Sequence, residues 1–283
     1  NCRNYASVKG WKSGGYFAPT GGIVGNNMGT ISGCVNFGTV TGSLDLGGLA
    51  GTLGKNSMTT GVLENSINFG TIELIEGATG AYLGGLVGRN ATGDATINRC
   101  INLGTINFGE YTGNTQYAAA LVGSLQSKTI LKECLAAANV LLLNGNISGI
   151  CNGTAQIESC YNDMQISSQS NQSVSTGTLT TATGPEGFDP DAWVFQEGAY
   201  PMLKIFAEEP EINIGALVPL LYYNNESEYD KFNAIKHDFE LPAIEEASWK
   251  IVKGTTAVIE GNTVKVTRLL DKSDTLLLEA SLN

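Results

Sequence analysis

One glycine-rich motif recurs along the first half of the chain and restricts its fold more than any other feature. It reads Gly21-Gly22-Ile23-Val24-Gly25, then Gly47-Gly48-Leu49-Ala50-Gly51, then Gly84-Gly85-Leu86-Val87-Gly88. It decays to Ala119-Ala120-Leu121-Val122-Gly123 and Gly145-Asn146-Ile147-Ser148-Gly149. A second motif follows the first three: Cys34-Val35-Asn36-Phe37-Gly38-Thr39-Val40, Ser66-Ile67-Asn68-Phe69-Gly70-Thr71-Ile72 and Cys100-Ile101-Asn102-Leu103-Gly104-Thr105-Ile106. Weaker copies start at Cys134 and Cys160, and another opens the chain at Cys2.

Aligned on the Cys/Ser position, the copies form columns. Three residues before it lie Ile31, Leu63, Ile97, Leu131 and Ile157. Two residues after it lie Asn4, Asn36, Asn68, Asn102 and Asn162, with Ala136 as the exception. Six residues after it lie Val8, Val40, Ile72, Ile106, Val140 and Ile166. A unit this short cannot bury its apolar face alone, but stacked copies make one continuous core. Parallel strands stacked in register, about 4.8 Å apart, put like residues over like. Val and Ile suit an inward position on a pleated strand, and stacked Asn side chains form amide ladders. Within each motif the period is that of strands, which argues against helical repeats. Composition agrees: 36 glycines and only 15% charged residues suit tight turns and stacked strands, while 42% hydrophobic residues suffice for a core.

The Gly-Gly-(Leu/Ile)-Val-Gly unit followed by Gly-x-Ile-x-x-Cys-x-Asn-x-Gly-Thr-Val resembles the GLUG-motif repeats of large bacterial surface proteins. The resemblance covers roughly residues 1–166. It implies an all-β chain with a right-handed parallel β-helix (solenoid), an exported location at the bacterial cell surface, and a role in adhesion. It implies no catalytic residues. The aromatic cluster Phe188-Asp189-Pro190-Asp191-Ala192-Trp193-Val194-Phe195, with Tyr200-Pro201-Met202-Leu203, is expected to cap the open end of the core, as a similar ending does in GLUG-like arrays. The solenoid with its cap is thus assigned to 1–207.

Glu208-Glu209-Pro210-Glu211 marks the expected boundary, and residues 208–283 read as a second β-domain. Ser248–Val252, Thr263–Thr267 and Thr275–Leu282 are expected strands, with Gly261-Asn262 a hairpin signal and 226–237 a short helix. The Leu241-Pro242, Trp249, Val266-Thr267-Arg268 and terminal-strand pattern resembles the reduced (atrophied) bacterial Ig-like domains, which implies a small Ig-like β-sandwich. The chain opens mid-pattern, which suggests a fragment whose export signal lies upstream.

Charge narrows the function. Residues 1–162 carry eight acidic and eight basic side chains, so the net charge of −11 lies wholly after them. With no basic stripe to neutralise phosphates, nucleic-acid binding is not expected. No stretch of about 20 apolar residues crosses a membrane. The single histidine, His237, excludes a Ser-His-Asp or Cys-His arrangement unless it takes part, and metal spacing such as Cys-x-x-Cys is absent. No catalytic residue, no metal and no cofactor are therefore assigned. The cysteines at 2, 34, 100, 134 and 160 fall at coil period and read as small, reduced core residues. Asp189 and Asp191 read as a solvated turn rather than a calcium site.

Right-handed β-helices also include polysaccharide lyases and glycosidases, which need clustered carboxylates. Here the acidic residues of 1–162 are scattered. The remaining readings are an adhesin-type module that binds a host or matrix glycan or protein, and a rigid structural spacer. The best candidate site is in two successive insertions, 73–83 and 107–118, which should stack on one side. They hold Glu76, Tyr82, Phe108, Glu110, Tyr111 and Tyr117. Exposed aromatics beside carboxylates can stack on sugars or anchor a protein partner. The competing reading is that Tyr82 and Tyr117 only close their coils. The chain is expected to be a monomer.

Overall fold

A computed structural model describes residues 1–13, 16–54, 60–75, 78, 82–90, 93–108, 117–125, 128–141, 147–167, 172–217, 238–241, 247–267 and 276–282. The repeats form a parallel β-solenoid, and among the described residues helix is confined to Thr176–Leu179, Pro210–Leu217 and a 3-10 turn at Lys204–Phe206. Each of the first four coils visits four ladders in turn. Sheet A runs through Arg3–Asn4, Val35–Asn36, Gly61–Asn68, Ala95–Asn102, Leu135–Ala136, Tyr161–Asp163 and Ser173–Val174. Sheet B holds Val8–Lys9, Val40–Gly42, Thr71–Leu74, Thr105–Asn107 and Asn139–Leu141. Sheet C holds Thr20–Gly21, Asp45–Gly47, Tyr82–Gly84 and Tyr117–Ala119, and sheet D holds Val24–Asn27, Ala50–Leu53, Val87–Asn90, Val122–Leu125 and Cys151–Gly153.

The columns read from the sequence are the rungs of these ladders. Ile31, Leu63, Ile97, Leu131 and Ile157 pair in register across sheet A. The first four are buried and the fifth packs against the same cluster. Val8, Val40, Ile72, Ile106 and Val140 pair likewise across sheet B. Ile166 is buried but stands in a turn, outside that ladder.

The asparagine column divides the interior. Asn4 Nδ2 donates to Asn36 Oδ1 at 2.7 Å, Asn36 to Asn68 at 2.8 Å, and Asn68 to Asn102 at 2.9 Å. Each of the first three amides also donates to the carbonyl two residues on, and all four accept from the amide N–H there. In a low-dielectric interior such a chain is stabilising only while every member is satisfied. Where Ala136 interrupts the column, Asn102 Nδ2 turns to the carbonyl of Ala120 at 2.7 Å.

A further column was not anticipated. The residue just before the Cys/Ser position is left-handed in all five coils after the first: Gly33, Asn65, Arg99, Glu133 and Ser159 have φ between 47° and 63°. Outside glycine this conformation costs roughly 1–2 kcal/mol. It bends the strand so that residues three before and at the Cys/Ser position both face inward, and the next residue faces out. Val35, Ile67, Ile101 and Leu135 thereby form an apolar row on the outer surface of sheet A.

That row decides where the aromatic cluster goes. The expected plug over the open core is instead a strap along the solenoid's flank. Leu179, Phe188, Trp193, Tyr200, Met202, Leu203, Phe206 and Ile212 bury against Val35, Ile67, Ile101 and Leu135. At the last coil, the Tyr200 hydroxyl donates to Asp163 Oδ2 at 2.6 Å. Midway, Glu133 Oε2 accepts from Arg99 Nε, the Asp189 amide and Trp193 Nε1. At the first coil, Arg3 donates to both carboxylate oxygens of Glu209, at 3.2 and 2.6 Å, with its guanidinium over the Phe206 ring. The strap therefore runs back from the last coil to the first.

After residue 238 the chain forms small antiparallel sheets. Phe239–Glu240, Thr263–Val266 and Ala257–Glu260 make one, and Ala247–Lys253 with Leu277–Leu282 the other. Gly261 and Asn262 form the hairpin turn, Gly261 at φ 63°. Phe239, Leu241 and Val264 form the core, joined by Trp249 and Leu278 of the second sheet. Residues 226–237 lie outside the described residues.

Candidate functional site

The insertions leave sheet B and return to sheet C, and both their ends stack. Glu73 pairs with Asn107 on leaving, and Asn107 Nδ2 donates to Glu73 Oε1 at 3.2 Å. Tyr82 pairs with Tyr117 on return. Parallel register holds the two rings 5.3 Å apart and 4° from coplanar. Offset stacking of this kind is favourable for aromatic pairs.

One rung below, Asp45 occupies the same column. Its Oδ2 accepts from Arg89 NH2 at 2.8 Å, and the Arg89 guanidinium carbon stands 4.8 Å from the centre of the Tyr82 ring. The order along the solenoid axis is then Asp45 with Arg89, Tyr82, and Tyr117. Tyr82 is enclosed between a cation and a ring, whereas Tyr117 is 40% exposed. Burial pushes the Asp45 carboxyl above its ordinary value, opposed by the attraction and hydrogen bond of Arg89.

Phe108 does not belong to this surface. It is buried with Ile72, Leu74, Leu83, Ile106 and Val140, so it closes the core under the insertion. Glu76, Glu110 and Tyr111 lie outside the described residues. Tyr82 and Tyr117 are thus brought together, and Arg89 and Asp45 join them. Asp45 was legible in the alignment, since Asp45-Leu46-Gly47-Gly48, Tyr82-Leu83-Gly84-Gly85 and Tyr117-Ala118-Ala119-Ala120 share one frame. Arg89 comes from sheet D and reaches the site only through the bend at Gly84–Gly88, which a linear pattern does not reveal.

Among the described residues no group of three or more His, Cys, Asp or Glu side chains is placed to hold a metal ion. No helix among them is long and apolar enough to cross a membrane. All six cysteines are free thiols; Cys34, Cys100, Cys134 and Cys160 are buried, but Cys2 of the first coil is exposed rather than buried. Comparison of the chain with protein-family models, curated proteins and solved structures gives no match.

Proposed function

We propose that this chain is a non-catalytic module of a secreted or cell-surface bacterial protein, a right-handed GLUG-type solenoid that binds a glycan or protein of a host or matrix. The observation that carries the reading is the Tyr82–Tyr117 stack, held in register by a rigid ladder and ending in a half-open ring at Tyr117. A ring fixed this way gives stacking area at little entropic cost, and a solenoid repeats such weak contacts over a long surface. The two antiparallel sheets with a shared core after residue 238 support the reduced Ig-like reading of residues 208–283.

A glycan array probed with the intact chain and with Tyr117→Ala tests this. Binding by the first and its loss in the second, at an unchanged melting temperature, is the expected result. Equal binding by both removes Tyr117 from the site, and turnover of a polysaccharide by the intact chain overturns the non-catalytic reading. Absence of any ligand, with cell attachment also absent, leaves the spacer reading in its place.

A further inference from the structure

Three buried thiols stand on successive rungs of sheet A. Asn98 pairs with Lys132 and Ile101 with Leu135, which sets Cys100 beside Cys134. Lys132 pairs with Glu158 and Leu135 with Tyr161, which sets Cys134 beside Cys160. Cys100 Sγ donates to the Asn98 carbonyl at 3.3 Å and stands 3.7 Å from the carbonyl of Leu63, one coil earlier. Cys134 Sγ repeats both contacts, with Lys132 at 3.2 Å and Ile97 at 3.7 Å. Cys160 Sγ donates in the same way to Glu158 at 3.4 Å. Like orientation on successive rungs separates neighbouring sulfurs by the rung spacing, about 4.8 Å. All three residues are at most 2% exposed, in an apolar cluster with Ala120, Leu131 and Ile150.

That spacing selects the chemistry. A disulfide needs its sulfurs about 2.05 Å apart and its Cβ atoms near 3.8 Å, so the rungs would have to be drawn together. A cation midway between two sulfurs, at a thiolate–metal distance of about 2.3 Å from each, spans about 4.6 Å and leaves the rungs in place. Structural zinc and iron–sulfur centres take four protein ligands, and among the described residues no three His, Cys, Asp or Glu side chains converge on one point. A soft cation content with two sulfur ligands is the one that fits, and thiolates select copper(I).

We propose that Cys134 and Cys160 form a linear two-sulfur site for copper(I) inside the solenoid. Access favours this pair over Cys100 and Cys134. Half-buried Cys151 packs against the same cluster and offers a first sulfur on the way in, whereas Cys100 is fully buried. Burial pushes the Cys134 thiol well above its ordinary value, so the ion must displace the proton. One thiol gives its proton to water and becomes a thiolate; the other stays protonated and donates a sulfur lone pair. Two sulfur–copper bonds form, one S–H bond breaks and no electron is transferred. The centre is then neutral, which spares the interior an uncompensated charge.

Serine is the substitution for the test, because Ser66 already stands in this column and its hydroxyl donates to Glu64 at 2.7 Å as the thiols do. Under anaerobic conditions the reduced full chain should retain one copper(I) ion against a chromophoric copper(I) chelator, and should retain no zinc. Its affinity should rise roughly tenfold per pH unit, as release of a single proton requires. Cys134→Ser and Cys160→Ser should lose the ion with circular dichroism unchanged. Cys2→Ser and Cys34→Ser should keep it. X-ray absorption at the copper edge should show two sulfur neighbours, and this readout needs no variant, so it decides even where a serine fails to pack. Loss of copper from the intact chain to the chelator, a centre with three or more ligands, or retention by Cys134→Ser overturns the proposal.

Discussion

A Cβ built on Gly85 would stand 1.8 Å from the side-chain amide nitrogen of Asn102 and 2.1 Å from the carbonyl of Ala120. The same approach recurs at Gly48 with Asn68 and at Gly22 with Asn36. Where the glycine becomes Ala120, the asparagine of that coil becomes Ala136. The two columns trade volume. Gly85→Ala is expected to cost on the order of 3 kcal/mol, through overpacking beside a buried amide. In a double-mutant cycle by urea denaturation, Gly85→Ala with Asn102→Ala should cost less than the sum of the single changes. Strict additivity would show that the amide does not set the glycine.

The strap predicts a local rather than global effect at its far end. The Arg3–Glu209 pair is partly exposed, so its loss should change global stability by less than about 1 kcal/mol. Arg3→Ala should nevertheless speed proteolytic cleavage between Lys204 and Leu217, since both its ion pair and its contact with Phe206 disappear. Unchanged cleavage would count against docking of this segment on the first coil.

Asp163 predicts a pH dependence. Its carboxyl is held above its ordinary value of 3.8, chiefly by burial, and against this act hydrogen bonds from Thr176, Tyr200 and the amides of Gln165 and Ile166. A raised carboxyl pKa favours the native state when protonated. That contribution is full below the unfolded value and is lost as pH rises through the folded one; Asp45 shares the direction. The urea midpoint should therefore gain from this group as pH falls from neutral toward 3.8, and the gain should shrink in Asp163→Asn. A parallel pH profile for the variant would refute the assignment.

Thiol reactivity should follow burial. In the native chain Cys2 should alkylate fast and Cys151 slowly, its thiol being pushed up to about 11 by burial and by Cys160. Cys34, Cys100, Cys134 and Cys160 should resist. Mass spectrometry after denaturation without reductant should count six free thiols. A smaller count would reveal bridges within the column.

The aromatic residues of the insertions should separate by role. Phe108→Ala should cost roughly 3–5 kcal/mol, as for a buried ring. Tyr117→Ala should leave the melting temperature nearly unchanged, with Tyr82→Ala intermediate because Arg89 and Tyr117 both pack on its ring.

The solenoid was legible because stacking turns sequence period into spatial columns, so Ile31, Leu63, Ile97 and Leu131 announce their shared rung. The strap was not legible in the same way. Its aromatic residues are visibly apolar, but the surface that receives them depends on a bend whose column mixes Gly33 and Asn65, which favour a left-handed turn, with Arg99 and Glu133, which do not signal one. Phe108 was misplaced for a related reason: an aromatic residue next to a long insertion looks the same in sequence whether it points into the coil or away from it.

Stacked repeats ordinarily behave as a one-dimensional chain, in which an end coil can fray without disturbing the others. Here contacts that span 206 residues join the first coil to a segment anchored on the last. These contacts join residues far apart in the sequence. Such long-range closure slows folding. Once closed, it makes the loss of any one coil costly to all of them, so a repeat array gains the all-or-none cooperativity of a globular domain.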